Sequence, residues 1–286
     1  MDADTEQDPL HAETGRPMLA RLLPPGEPAA AEQIVAELNL DASAGTAPSS
    51  RPYLMLNMVS TVDGHATLAG RSRLLSSRAD RELFHGLRLA VDAVLAGAGT
   101  VRAERYGRII PDESRRRLRI AQGRSEEPLA CIVSERLDLP PDIPLLADPT
   151  ARVAILTPST GSLAECAAEV HYIRAERDGL LDLPVALAAL RDRFAVRTLL
   201  CEGGPHLNAQ LLAAGLVDEL FLSLAPLLAG GGFDGNPAQP DPVHLDPAHP
   251  DVLGILAGPE LSTPLVLELL GVLEHDSHLF LRYRVG

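Results

Sequence analysis

The chain has 286 residues and a formal net charge of −14, set by 39 acidic against 25 basic residues. All 25 bases are arginine, which excludes a Schiff-base lysine, a pyridoxal-phosphate lysine and a Walker A phosphate loop. The acidic balance argues against a nucleic-acid or anionic-membrane partner, and 46% hydrophobic residues mark a globular chain with ample core.

Residues 1–50 read as an N-terminal arm and linker rich in Pro, Ala, Ser and acids. Asp2, Asp4, Glu6 and Asp8 give the opening the wrong charge for a signal peptide, and no apolar h-region follows. Within the arm only Ala29–Leu40 has helical spacing, and Asp41–Ser50 reads as a linker. Residues 51–286 read as one domain. Tyr53–Val59 is a buried-strand run, Ser76-Ser77 start a helix in which Arg81, Phe84, Leu87 and Arg88 recur at helical spacing, and Val91–Ala96 is a short strand.

Arg102–Arg124 holds eight arginines against three acids. Leu129–Val133, Arg152–Leu156 and Val170–Arg174 follow as strands, with a helix expected around Ser162–Ala168. Pro184–Phe194 reads as helix, Thr198–Glu202 as strand, His206–Ala214 as helix and Val217–Leu224 as strand. Gly235–Pro250 is a long Pro/Asp/His-rich loop, and Leu265–Leu273 with Leu279–Val285 forms a terminal antiparallel hairpin. This alternation predicts an α/β fold with a mixed, mostly parallel sheet flanked by helices.

The three cysteines, Cys131, Cys166 and Cys201, are far apart and have neither C-x-x-C nor zinc spacing, so no metal site is expected. Free core thiols suit a reduced compartment, and a soluble cytoplasmic protein is the expectation.

In open α/β sheets, ligands gather outside the carboxyl ends of the strands. Three strand ends here carry polar or glycine-rich runs: Asn57 with Ser60-Thr-Val-Asp63-Gly-His65; Gly97-Ala-Gly99-Thr100-Val101-Arg102; and Glu202-Gly203-Gly204-Pro205. Glycine at such a turn lets backbone approach a ligand, although a tight turn without any ligand explains each run taken alone.

Taken together and in order, these runs resemble a known family. With Arg88-x-x-x-Asp92-Ala-Val-Leu95, Gly215-Leu-Val-Asp-Glu219 and Ala225-Pro226, they are similar to the pyrimidine reductase domain of bacterial riboflavin biosynthesis, which shares the dihydrofolate reductase-like fold. That domain is often fused to a zinc deaminase carrying His-x-Glu and Pro-Cys-x-x-Cys; neither motif occurs here, so a stand-alone reductase domain is expected. The resemblance implies NADPH as cofactor, a homodimer, and reduction of the ribose of a phosphoribosylamino-pyrimidine to a ribityl chain.

It also implies roles for particular residues. Gly97, Gly99, Thr100, Val101, Gly203, Gly204 and Pro205 match the loops against the cofactor. Ser134 and Arg136 match the place where related reductases hold the 2′-phosphate, and a solvated surface arginine is the alternative there. Asn57 interrupts an apolar strand, so its amide needs a partner that a uracil-like ring edge would provide. Asp63 and Glu202 are the candidate catalytic carboxylates, although Asp63 would equally cap its Asp-Gly turn and Glu202 would equally bond loop amides. Ser60, His65, Arg102, Arg105 and Arg108 are candidates for binding the phosphorylated substrate.

Two departures from the family pattern fall on the substrate side. His65 stands where the family carries lysine, and Ala103-Glu-Arg-Tyr-Gly107 replaces an Asp-Asp/Asn-Pro run. They leave open a pterin or other heterocycle as substrate, or a non-catalytic NADP-binding protein.

Overall fold

In the computed structural model, which describes residues 15–48, 50–68, 70–230, 254–258 and 261–286, β-branched and apolar runs are laid into one sheet. The elements in chain order are β1 (Met18–Leu23), β2 (Pro25–Ala30), α1 (Ala31–Glu37), α2 (Leu40–Ala44), β3 (Tyr53–Thr61), α3 (Arg78–Ala90), β4 (Ala93–Gly97) and α4 (Ala98–Ala103). Next come α5 (Glu113–Ala121), β5 (Leu129–Val133), α6 (Pro144–Ala147), β6 (Arg152–Thr157), β7 (Glu169–Arg174), and the small ribbon β8 (Glu176–Arg177) and β9 (Leu180–Leu181). The chain closes with α7 (Leu183–Phe194), β10 (Thr198–Cys201), α8 (Pro205–Ala213), β11 (Glu219–Ala225), β12 (Leu267–His275) and β13 (His278–Val285).

The sheet has eleven strands in the order β2-β1-β12-β13-β11-β3-β10-β4-β5-β6-β7. From β11 to β7 neighbouring strands run parallel. From β2 to β11 they run antiparallel. The mixed, mostly parallel sheet read from the sequence is therefore present, and so is the terminal hairpin. Asp276 and Ser277 both take positive φ (49° and 64°), as a two-residue hairpin turn matched to strand twist requires.

Alternation along β3 sends Tyr53 and Met55 to one face and Leu54 and Leu56 to the other, so the sheet carries a core on each side. The first core packs under α3, with Leu87 and Val91; the second packs under α7 and α8, with Leu187, Leu190 and Leu211. Helix starts are capped where the sequence supplies a short polar side chain: Ser77 accepts from the Asp80 amide, Asp112 from Arg115 and Asp182 from Val185. Cys131 and Cys201 lie fully in the second core, and burial pushes the Cys201 thiol up to about 12, so it behaves as an inert apolar residue.

Three expectations change. The helix over Ala29–Leu40 and the linker after it become β2, α1 and α2, and residues 18–30 contribute two strands at one end of the sheet, with β2 at its edge. The prolines at 24, 25 and 28 hid these strands, yet an edge strand tolerates a missing N–H. The helix expected at Ser162–Ala168 is absent, because its amides bond elsewhere: Leu163 to the Tyr172 hydroxyl, and Ala167 and Ala168 to the Leu146 carbonyl. The Gly235–Pro250 loop lies outside the described residues.

Leu19 in β1 is 0% exposed and packs with Ile34, Ala79 and Phe280. Leu19→Ala should therefore cost about 2–5 kcal/mol in urea unfolding. A loss under about 1 kcal/mol would show that residues 18–30 do not share the core.

Candidate active site

Neighbouring parallel strands bring the three sequence runs to one end of the sheet. β10 lies between β3 and β4, so Glu202-Gly203-Gly204 emerges between Asn57–Thr61 and Gly97–Thr100. The two glycine loops dock directly: the Gly97 amide donates to the Gly203 carbonyl (2.8 Å), and the Glu202 amide donates to Leu95 (2.9 Å). Gly203 takes φ +97°, open to glycine, and a Cβ on Gly204 would stand 2.9 Å from Thr100 Oγ1. Gly99 has nothing within 4 Å of its Cβ position. The result is a close-packed backbone ledge in which Gly99 leaves room for a ligand to approach, while the Cβ positions of Gly97, Gly203 and Gly204 meet other protein atoms.

Beside this ledge opens a cleft of about 790 Å³, bounded by β3, α3 and the segment 104–111, with Thr100 and Glu202 at the shared edge. Helical spacing on α3 places Arg81, Phe84, His85 and Arg88 along it. Arg88 is the anchor. Its Nε and Nη2 donate to the two Glu202 oxygens (2.6 and 2.7 Å), and its Nη1 donates to the Ile109 carbonyl (2.9 Å). Its guanidinium lies 4.2 Å over the Phe84 ring. Tyr106 donates its hydroxyl to Glu202 Oε2 (2.7 Å). Burial alone would lower the Arg88 guanidinium, but Glu202 beside it holds the group charged; burial, then Glu202, pushes the Tyr106 hydroxyl well up, so it stays neutral. Burial pushes His85 below its ordinary value, leaving that ring neutral near pH 7.

The sequence candidates divide accordingly. Asn57 lines the cleft, and among the described residues its amide has no side-chain hydrogen bond. Arg105 and Arg108 also line it; Arg105 pairs with Asp142 (3.4 Å), and Arg108 sits among Glu127 (2.8 Å), Glu126 (3.6 Å) and Asp148 (3.9 Å). Arg102 turns away to Asp138 (2.8 Å). Glu202 lies in the cleft, but with both oxygens committed to Arg88 and Tyr106 it holds the cleft together instead of offering a free base.

Asp63 does not line the cleft. It accepts from the Thr61 hydroxyl and from the amides of Ala229 and Gly230, which tether the segment after β11 and draw its carboxyl well below the usual range. His65 is buried in the same turn, its amide bonded to Thr61 Oγ1 and its ring 3.7 Å from Asp63, and Ser60 is buried outside the cleft lining. Asp63 and His65 thus bond within their own turn, outside the cleft lining, with Ser60 buried next to them.

On the cofactor side, Val101 is fully buried and contributes packing. Ser134 follows β5 beside Gly97, and its hydroxyl accepts from the Leu137 amide (3.1 Å), with Arg136 exposed next to it. Pro205 begins α8. Sequence reasoning missed Tyr106, Phe84, Arg73, Ser76 and Asp80 as cleft residues, although the α3 spacing already aligned Phe84 with Arg88.

Comparison with known proteins matches residues 52–250 to the RibD C-terminal domain. Over 185 residues the chain is 32% identical to the 2,5-diamino-6-ribosylamino-4(3H)-pyrimidinone 5′-phosphate reductase of Methanothermobacter thermautotrophicus, covering 63% of this chain and 81% of that protein. It is 30% identical over 183 residues to the riboflavin biosynthesis protein RibD of Mycobacterium tuberculosis, covering 63% of this chain and 44% of that one. A pyrimidine reductase-like protein from Corynebacterium diphtheriae superposes with a TM-score of 0.64 at 25% identity, covering 90% of this chain and 98% of the other.

Removing one partner of the buried Arg88–Glu202 pair strands a charge. Glu202→Ala should cost about 3–5 kcal/mol in urea unfolding, and Arg88→Ala/Glu202→Ala should cost clearly less than the sum of the single changes. Additive losses would show that the pair is not coupled.

Proposed function

Because the chain belongs to the RibD C-terminal domain family of riboflavin-pathway reductases, we propose that it uses NADPH to reduce the ribose of a phosphoribosylamino-pyrimidine to the ribityl form. The observation that carries this reading is the contact, through Thr100 and Glu202, between the docked glycine loops and the arginine-lined cleft.

The glycine ledge is where a dinucleotide would lie, since Gly99 is open to it, and Gly204 stays bare to seat the ledge against Thr100. Gly97, Gly99, Thr100, Gly203, Gly204 and Pro205 would hold NADPH by backbone contact, with Val101 packing the loop from beneath. Arg136, and the loop ordered by Ser134, would take its 2′-phosphate. When bound, NADPH supplies the hydride. Asn57 would then meet the donor and acceptor edge of the pyrimidine, and Arg105, held only through one nitrogen by Asp142, would take the ribose phosphate with Arg108 beside it. The Arg88–Glu202–Tyr106 group fixes the wall against which the substrate lies.

A homodimer accords with the apolar strip along β1 and β12, where Met18, Leu22, Leu23, Leu267 and Leu269 are 39–51% exposed. Sedimentation at micromolar concentration should give a dimer that Leu269→Arg dissociates; a wild-type monomer contradicts this. A cytoplasmic setting follows from the substrate's phosphate, which does not cross a bilayer, and none of the described helices is long and apolar enough to span a membrane.

Tyr106, standing in the cleft within the segment that departs from the family pattern, favours one second reading: a pterin-like heterocycle stacked in the same cleft. Steady-state NADPH oxidation separates the two. The purified protein should turn over with 5-amino-6-(phosphoribosylamino)uracil or its 2,5-diamino-pyrimidinone counterpart and not with dihydrofolate. The reverse pattern selects the pterin, and binding without turnover on any substrate selects the non-catalytic protein. Gly204→Ala should weaken NADPH binding about tenfold by overpacking against Thr100; unchanged affinity would remove the ledge from the cofactor site.

A further inference from the structure

A second cavity, about 260 Å³, lies behind the cleft between α1, α3 and the strands β11–β13. Asn57 lines both cavities, and Asp80 on the cleft side links to a residue of the second cavity. Asp80, in the first turn of α3, is 8% exposed; its Oδ1 accepts from Ser223 Oγ (2.5 Å) and its Oδ2 from Ser76 Oγ. Ser76 lines the cleft and Ser223 lines the second cavity. Three oxygen-bearing side chains thus cross the wall in hydrogen-bond contact.

We propose that Ser223, Asp80 and Ser76 form a proton relay that delivers the proton needed for reduction in the cleft. The proposal rests on the reading above, a reduction of the ring-opened sugar. There a C=N bond becomes a C–H and an N–H bond: the hydride brings one hydrogen and the electron pair to carbon, and nitrogen needs a proton from elsewhere. Neutral Asp80 donates through Oδ2 to Ser76 Oγ, and Ser76 passes its own hydrogen to the substrate nitrogen. The carboxylate left on Asp80 accepts from both hydroxyls, as in the present geometry, and regains its proton through Ser223 from water in the second cavity. Atoms and charge balance with one proton drawn from solvent per turnover.

The surroundings favour this role over Glu202 or Asp63. Burial pushes the Asp80 carboxyl above its ordinary value, opposed by the two serine hydroxyls and, more weakly, by His278 on β13 and Arg81 on α3. Among the described residues no arginine forms an ion pair with Asp80, whereas Arg88 holds both Glu202 oxygens. Burial thus holds Asp80 toward its acid form.

Asp80→Asn keeps the shape and both serine contacts. It should lower kcat about 100-fold with little change in KM. Wild-type kcat/KM should fall as pH rises through the raised Asp80 pKa, and this limb should vanish in the variant. Ser76→Ala, which leaves Asp80 in place, should lower kcat in the same direction. Independently, in the ligand-free protein labelled with carboxyl-¹³C aspartate, the resonance missing from Asp80→Asn should titrate above the other aspartates. A turning-over wild type with an unaltered rate and pH profile in Asp80→Asn overturns the relay alone, as does titration of Asp80 in the ordinary range. A wild type inert toward both pyrimidines overturns the functional reading, and the relay with it.

Discussion

The cleft depends on one buried ion pair. Arg88 reaches from α3 to Glu202 at the end of β10, bonds the Ile109 carbonyl with its remaining nitrogen, and stacks on Phe84, while Tyr106 closes on the far oxygen. A guanidinium and a carboxylate taken from water cost several kcal/mol each unless every donor and acceptor is met. Here the bidentate geometry, the carbonyl and the phenol meet that demand together. Helix, sheet and the segment 104–111 are consequently fixed relative to one another at the place where a substrate would lie.

The same economy of groups assigns the carboxyls different tasks. Glu202 is spent on Arg88 and Tyr106, and Asp63 on loop amides beyond β11. Asp80 is bonded through its oxygens to two serine hydroxyls, with no arginine pairing it among the described residues, and lies where burial favours the neutral acid. The topology makes this division possible. β11 carries Ser223 on the strand next to β3, so the first antiparallel neighbour, β13, and the N-terminal strands enclose a second cavity behind Asn57. Arg21 and Leu23 of β1 line that second cavity, so residues 18–30 are built into the sheet beside it.

The strand-end runs were legible in the sequence because glycine and lone polar residues at the ends of apolar runs have few other uses. Parallel neighbours then brought them together without further information. What the sequence did not disclose depends on partners distant along the chain. Glu202 meets Arg88 114 residues away and Asp80 meets Ser223 143 residues away, and no local pattern marks either pairing. For the same reason no local pattern shows that Asp63 bonds the amides of residues 229 and 230, well over a hundred residues away. The segment at Ser162–Ala168 shows the opposite limit: its helical composition was overruled by tertiary bonds to Tyr172 and Leu146.

On this reading the docked glycine loops and the cleft form one reductase site. Titration of the ¹⁵N-labelled protein with NADP⁺ tests it most directly. The account predicts that the amides of Gly97, Gly99, Thr100 and Gly204 shift together and saturate with one dissociation constant, while those of Leu270 and Gly271 at the second cavity stay in place. Saturable binding that leaves those four amides unmoved would contradict it.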